Sequence, residues 1–271
     1  MIYRQGNIND LEQLKQLALK SSRKWTPRKI FRAVWAFGGI GFTIWLFYSF
    51  QAKGVDEANF QDSRGVTVEQ NEDYISFTPT KDFKEIFIFY PGAMVDPKAY
   101  VPLCRKIADH DIKVLLMKMP WRLASKGYHK PIELNLFADT SKEYILAGHS
   151  QGAKMAAQFV FEHPGLIDKL ILIGSTHPRD ISLSGIMIPV MKIYGSKDGV
   201  ADMETINRNK SKLPKTTKYI LIRGANHSQF GYYGFQLGDH KADISRDQQQ
   251  EETLKSILTF LIPDTTTFNK N

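Results

Sequence analysis

Apolar residues fall along this chain in three patterns, and each predicts a different kind of structure. Residues 33–50 read AVWAFGGIGFTIWLFYSF, an uncharged run of eighteen. As a helix rising 1.5 Å per residue, this run extends about 27 Å, close to the roughly 30 Å hydrocarbon core of a bilayer. Further on, short β-rich apolar runs recur at 74–77, 86–90, 114–117, 144–147, 170–173, 187–194 and 219–222. Helical spacing replaces them over 97–109, 152–163, 202–212 and, after the last strand, 246–261. Near-continuous apolar strands separated by helices predict an α/β fold, a mostly parallel sheet with helices on both faces. The third pattern lies in INDLEQLKQLALK at 8–20. Here Ile8, Leu11, Leu14, Leu17 and Leu19 fall largely along one helical face, with Asn9 or Asp10 as N-cap.

Charge sharpens the reading of the first pattern. The formal net charge of +8 would suit a polyanion partner. Its distribution argues otherwise. Residues 1–32 carry Arg4, Lys15, Lys20, Arg23, Lys24, Arg28, Lys29 and Arg32 against Asp10 and Glu12, which is +6 of the +8. The other 239 residues are nearly neutral, so no nucleic acid partner is expected. A basic block directly before an uncharged run predicts a transmembrane signal anchor rather than a buried core helix. A cleaved signal peptide fits poorly, because 32 residues precede the run and Phe50-Gln51-Ala52 is a weak cleavage site. Residues 51–70 hold only Lys53 and Arg64, so the positive-inside rule places 1–32 in the cytoplasm and everything after residue 50 on the outer face of the cell membrane. The bilayer is then a partner through residues 33–50. Residues 51–70 read as a polar linker and 71–265 as the folded domain.

Chemistry concentrates at strand ends. The run 144–147 leads into Gly148-His149-Ser150-Gln151-Gly152 and then into the helical AKMAAQFVFEH. This Gly-x-Ser-x-Gly pattern in a strand–turn–helix context predicts a serine held above the sheet on a turn too tight for side chains at the glycines. A serine hydroxyl needs a base, and the base needs an acid to orient it. Asp198 follows the 187–194 strand in Gly195-Ser196-Lys197-Asp198-Gly199, and His227 follows the 219–222 strand in Arg223-Gly224-Ala225-Asn226-His227. Ser150, Asp198 and His227 thus stand in the order that such sites require. Two backbone donors should hold an oxyanion. One is Gln151 N–H, and the other lies in Pro91-Gly92-Ala93-Met94, with Ala93 first and Met94 second.

At these residues the chain resembles the α/β-hydrolase superfamily, and more narrowly its small bacterial Ser-dependent branch related to dienelactone hydrolases. The resemblance runs from about residue 70 to 262 and rests on FYPGAMVDPKAY, AGHSQGAKMA, YGSKDGVA and GANHSQFGYYGFQLGDHKADISRDQQ. It implies an eight-stranded, mostly parallel sheet, a Ser150–Asp198–His227 triad, no cofactor and an acyl substrate. Dienelactone hydrolases use cysteine where this chain has Ser150, so their substrate does not carry over.

The remaining features have competing readings. Phe230, Tyr232 and their aromatic neighbours either wall the substrate cleft or cover the sheet edge; Phe230, Tyr232 and Trp121 are taken as substrate contacts. Arg122, Thr176 and His177 complete the expected rim. Only residues 175–186 separate two strands where related enzymes insert a helical cap, so the cleft should be lidless and open, favouring soluble or protruding substrates. Asp239, His240 and Asp243 match no strong metal spacing and read as a solvated loop, so no metal is expected. Cys104 is the one cysteine, which excludes an intrachain disulfide, and it reads as packing, as does His149.

Overall fold

The structure is a computed structural model that describes residues 12, 13, 15, 16, 25–177 and 180–262. The expected helix over 8–20 lies outside these residues, except that Glu12, Gln13, Lys15 and Gln16 are helical. The chain forms two compact units, Met1–Leu46 and Phe47–Asn271.

The first unit contains most of helix α1, Pro27–Ser49. It starts six residues before the uncharged run, because Pro27 suits a first turn that needs no donor and Lys29 N–H bonds the Thr26 hydroxyl at 3.4 Å. The helix contains an eighteen-residue window of mean hydropathy 1.6 in which no residue is buried, the profile of a candidate membrane span.

The second unit is built on one eight-stranded sheet. Its strands are β1 Val66–Gln70, β2 Tyr74–Pro79, β3 Glu85–Tyr90, β4 Lys113–Met117, β5 Glu143–His149, β6 Lys169–Ile173, β7 Val190–Gly195 and β8 Lys218–Ile222. They lie in the order β1-β2-β4-β3-β5-β6-β7-β8. The β1–β2 and β2–β4 pairs are antiparallel and all the others parallel. Helices α2 Val101–Ala108, α3 Gln151–Glu162, α4 Met203–Arg208 and α5 Arg246–Leu261 accompany it. Alternation along β3 feeds two cores. Phe87 and Phe89 join Leu103, Ile107, Leu254 and Ile257 from α2 and α5, whereas Ile88 and Tyr90 join Ala153, Ala157 and Phe159 from α3. A strand buried on both faces must be apolar throughout, which is why the parallel strands were legible as continuous runs.

Residues 51–70 are not a free linker. Phe50, Ala52, Val55 and Phe60 pack against the first of these cores, and β1 pairs with β2 from Val66↔Pro79 to Gln70↔Ile75. As an edge strand β1 buries Val66 and leaves Thr67, Glu69 and Gln70 exposed, so its composition resembles a loop. The connection between β6 and β7 carries no helix among its described residues.

Candidate functional site

Strand order places the site. The chain leaves β3 for its neighbour β4 on one side and later for β5 on the other, so a crevice opens beyond the carboxyl ends of β3 and β5. These two ends are paired at Tyr90↔Gly148. The segment holding Ala93 and the segment holding Ser150 are therefore neighbours by register.

β5 ends at His149 and α3 begins at Gln151, leaving Ser150 alone at the turn with φ 55° and ψ −117°. This is a strained conformation for a residue with a side chain, and its N–H is held by the Ile173 carbonyl at 2.9 Å. Both glycines are spatially obligatory. A Cβ at Gly148 would lie 2.5 Å from the carbonyl carbon of Gly152, and one at Gly152 would lie 2.1 Å from the Tyr90 oxygen.

Asp198 and His227 meet as the sequence order predicts. His227 Nδ1 lies 2.9 Å from Asp198 Oδ2, and both side chains are fully buried. A carboxylate only accepts, so Nδ1 carries the proton and Nε2 is left as the basic nitrogen. The other carboxylate oxygen, Oδ1, accepts from Val200 N–H at 2.9 Å and Ala201 N–H at 2.6 Å, which orients it. His227 Nε2 is buried without a partner among the described residues, so no hydrogen bond to Ser150 is closed here. Such bonds often tighten only with substrate in place.

One residue that holds this pair together was missed by the sequence reading. Asp239, expected in a solvated loop, is buried and bonds five donors. Its Oδ1 accepts from the N–H groups of His227 (3.1 Å), Gly199 (3.3 Å) and His240 (2.9 Å). Its Oδ2 accepts from Ser228 N–H (2.8 Å) and Ser228 Oγ (2.7 Å). One carboxylate thereby ties the His227 loop to the Asp198 turn. The signal available in sequence was weak, because an aspartate twelve residues past a histidine has no local pattern.

A second positioning group is Tyr100. Its hydroxyl lies 2.8 Å from His149 Nδ1 and accepts from Gly92 N–H at 3.1 Å, linking the segment after β3 to the segment after β5. His149 is fully buried, and burial followed by the neighbouring His227 holds its basicity well below the usual imidazole value. It is therefore neutral and structural, with its ring 4.5 Å from that of His227. Tyr100→Phe is expected to lower kcat about three- to tenfold with KM nearly unchanged, measured on a soluble ester. An unchanged kcat would remove Tyr100 from the positioning chain.

The expected oxyanion donors separate. Neither Ala93 N–H nor Gln151 N–H has a partner among the described residues, the latter because it opens α3. Met94 N–H is already spent on the Arg122 carbonyl at 2.7 Å, so the second choice of donor does not stand.

The expected substrate contacts also divide. Trp121 is 86% exposed, at positive φ. Phe230 is a core residue beneath His149, ring to ring 5.7 Å, and not a cleft wall. Tyr232 bonds Asp247 through its hydroxyl at 3.1 Å and lies under Arg246, so it braces α5 instead. Arg122 is tied to Asp96 at 3.2 Å and Gln51 at 3.3 Å. His177 is buried, with burial pushing it down to about 4, so it is not an exposed rim group. A groove of about 540 Å³ adjoins the elbow, lined by Lys154, Met155, Thr176, His177, Thr205 and Asn209. Lys154 is one helical turn beyond Ser150.

Elsewhere, His129, Glu162 and His163 bring three potential ligand atoms within 4.8 Å near the far end of α3. Glu162 Oε1 already accepts from Tyr128 and Gln158 there.

Comparison with known proteins agrees with this fold. The sequence profile described as the alpha/beta hydrolase family matches residues 86–251. No curated protein matches the chain in sequence. Among solved structures, a predicted CIB-like hydrolase from Thermoplasma acidophilum superposes with TM-score 0.55 at 11% identity, over 71% of this chain and 99% of that one. A carboxylesterase from Mesorhizobium loti gives 0.50 at 15% identity, over 72% and 99%. An alpha-beta serine hydrolase homologue from Coxiella burnetii gives 0.50 at 14% identity, over 72% and 98%. At these identities the likeness concerns the fold, and it does not extend to the narrower dienelactone-hydrolase branch.

Proposed function

The chain belongs to the alpha/beta hydrolase family, and on that footing we propose that it is a membrane-anchored serine hydrolase cleaving a carboxylic ester or related acyl bond. The observation that carries this reading is the buried His227–Asp198 pair, at 2.9 Å, beside a serine on a strained strand-to-helix turn. Maintaining that strain and burying that pair both cost stability, which a purely structural role does not require.

In the proposed reaction Ser150 Oγ attacks the acyl carbon while His227 Nε2 takes its proton. Asp198 keeps the imidazole in the tautomer that leaves Nε2 free and stabilises the cation that forms. The tetrahedral intermediate places its oxyanion on the Ala93 and Gln151 amides, each donor worth about 2.7–4 kcal/mol. Collapse expels the alcohol, protonated by His227, and leaves an acyl group on Ser150. Water activated by the same imidazole then releases the acid. None of these steps requires a cofactor.

Helix α1 serves as the anchor in this reading, with the basic residues 1–32 in the cytoplasm and the hydrolase domain outside. A fluorophosphonate probe is expected to label the wild-type chain and not Ser150→Ala. Equal labelling of the two would overturn the assignment. Protease added to intact cells should degrade the domain, and complete protection would reverse the orientation.

A further inference from the structure

The first residues of the second unit are stitched between the two loops that flank Ser150. Asp96 N–H donates to the Phe50 carbonyl at 2.9 Å and Gly234 N–H to the Ser49 carbonyl at 2.7 Å. Ser49 Oγ donates to the Phe235 carbonyl at 2.5 Å, and Lys53 N–H to the Tyr232 carbonyl at 2.7 Å. A Cβ at Gly234 would lie 2.8 Å from the Ser49 oxygen, so this approach needs glycine. Phe50 also stacks on Tyr233, with centroids 6.0 Å apart. The chain thus enters the domain between residues 91–97, which carry the Ala93 amide, and residues 228–238, which follow His227.

Around that point the domain exposes Phe47, Tyr48, Met94, Trp121, Phe235 and Leu237. Contacts make them one neighbourhood. The Arg122 guanidinium sits 5.4 Å from the Phe47 ring, the Arg122 carbonyl holds Met94, and Ser49 holds Phe235. Exposing this much apolar surface around one point is unfavourable in water and marks an interaction face. Its composition indicates the partner. Tyr and Trp are the residue types favoured at membrane–water interfaces, and Lys53 lies 4.0 Å from the Tyr48 ring centre, a cation suited to phospholipid headgroups. Phe47 and Tyr48 belong to the last turn of α1, so the face is continuous along the chain with the candidate span.

We propose that this face docks the domain on the lipid bilayer, so that the cleft opens at the membrane surface and takes an acyl lipid presented by the bilayer. The proposal rests on reading α1 as an anchor and Ser150 as the nucleophile. It turns the expectation of soluble or protruding substrates toward membrane-borne ones, since an open cleft seated on lipid needs no lid to admit them.

The full chain would be reconstituted in phosphatidylcholine–phosphatidylglycerol vesicles and labelled with an environment-sensitive fluorophore at Leu237→Cys or, as control, at Phe161→Cys. Cys104 is fully buried and does not compete for label. Phe161 is exposed near the end of α3 remote from Ser150. A lipid-borne nitroxide is expected to quench the label at 237 at least twofold and to leave the label at 161 unchanged. Equal quenching at both positions overturns the docking. So does shielding at 237 that needs no lipid and grows with protein concentration, because a second copy then covers the face. In the same vesicles, Tyr48→Ser/Leu237→Ser should lose at least tenfold in turnover of a bilayer-embedded fluorogenic ester while hydrolysis of p-nitrophenyl acetate stays within twofold. A parallel fall in both, or in neither, overturns the lipid assignment. Fluorophosphonate labelling and retention after alkaline carbonate read the two underlying assignments separately. Loss of labelling alone rejects the hydrolase and leaves docking to the quenching result, whereas release by carbonate rejects the anchor and the docking together.

Discussion

His227→Gln is expected to lower kcat roughly ten-thousand- to million-fold on any ester the wild type hydrolyses, with the fold retained. The magnitude follows from what the imidazole does. The neighbouring imidazole, His149, cannot stand in for it, because it is bonded to Tyr100 and held well below the usual imidazole basicity by its burial. Glutamine is the informative replacement. Its amide can still donate to Asp198 Oδ2, whereas alanine would leave that buried oxygen without a partner and cost about 1–3 kcal/mol in stability. Circular dichroism and steady-state kinetics on p-nitrophenyl acetate separate the two effects. The double variant Ser150→Ala/His227→Gln should be no slower than either single one, because the two groups act in one proton transfer. Retention of more than a tenth of wild-type kcat by His227→Gln would rule the residue out as the base.

Gly152→Ala carries the largest expected effect on stability. A single added methyl would sit 2.1 Å from the Tyr90 oxygen and 2.5 Å from the Pro91 oxygen. Neither is a side chain that can rotate away. Tyr90 is the last residue of β3 and its hydroxyl is anchored to the Tyr128 carbonyl at 2.6 Å, while Gly152 lies in the first turn of α3. The clash therefore has to be relieved by moving the helix away from the sheet, at a cost of about 3 kcal/mol or more. For a domain of this size that lowers Tm by roughly 6–12 °C, measurable by thermal unfolding. Activity should fall further than stability. The displaced segments carry the Gln151 and Ala93 amides, so a shift of one ångström misplaces both. A Tm within 2 °C of wild type would mean that the elbow is looser than this packing implies.

Much of the fold was readable because its central parallel strands are buried on both faces and so are apolar along nearly their whole length. β3, β5 and β6 are each within two residues of the expected runs at either end, and α5 coincides with its expected span. β1 escaped notice because at the edge of the sheet only Val66 is buried and only Val68 joins it in packing on the core, while the other three residues are polar and exposed. The 187–194 run overshot for a related reason. Met187 and Ile188 are apolar, but Pro189 follows them and β7 starts only at Val190, where pairing with Leu170 on β6 begins.

The candidate site shows the same division. Ser150, Asp198 and His227 each lie within five residues of a strand's end, so local pattern and chain order sufficed to nominate them. Phe230, Tyr232 and Met94 could not be sorted by that means. Whether an aromatic residue after His227 lines a cleft or fills a core depends on which side of the loop faces the sheet. Whether an amide is free depends on a carbonyl, here that of Arg122, distant in sequence.

By itself, the sequence determined the apolar helix and its charge asymmetry, the α/β alternation and the three residues nominated for the proposed chemistry. All of these are local properties, carried by runs of residues whose transfer energies or backbone limits act over one turn or one strand. Only the tertiary structure decided that Asp239 clamps two loops, that Tyr100 joins the two flanks of the elbow and that residues 47–53 enter beside the site. Each of these is a hydrogen bond or contact between segments far apart in the chain, and no local pattern encodes such a partner. The net charge of +8 is local in this sense, concentrated ahead of one helix, whereas the surface beside Ser150 exists only once the sheet has closed.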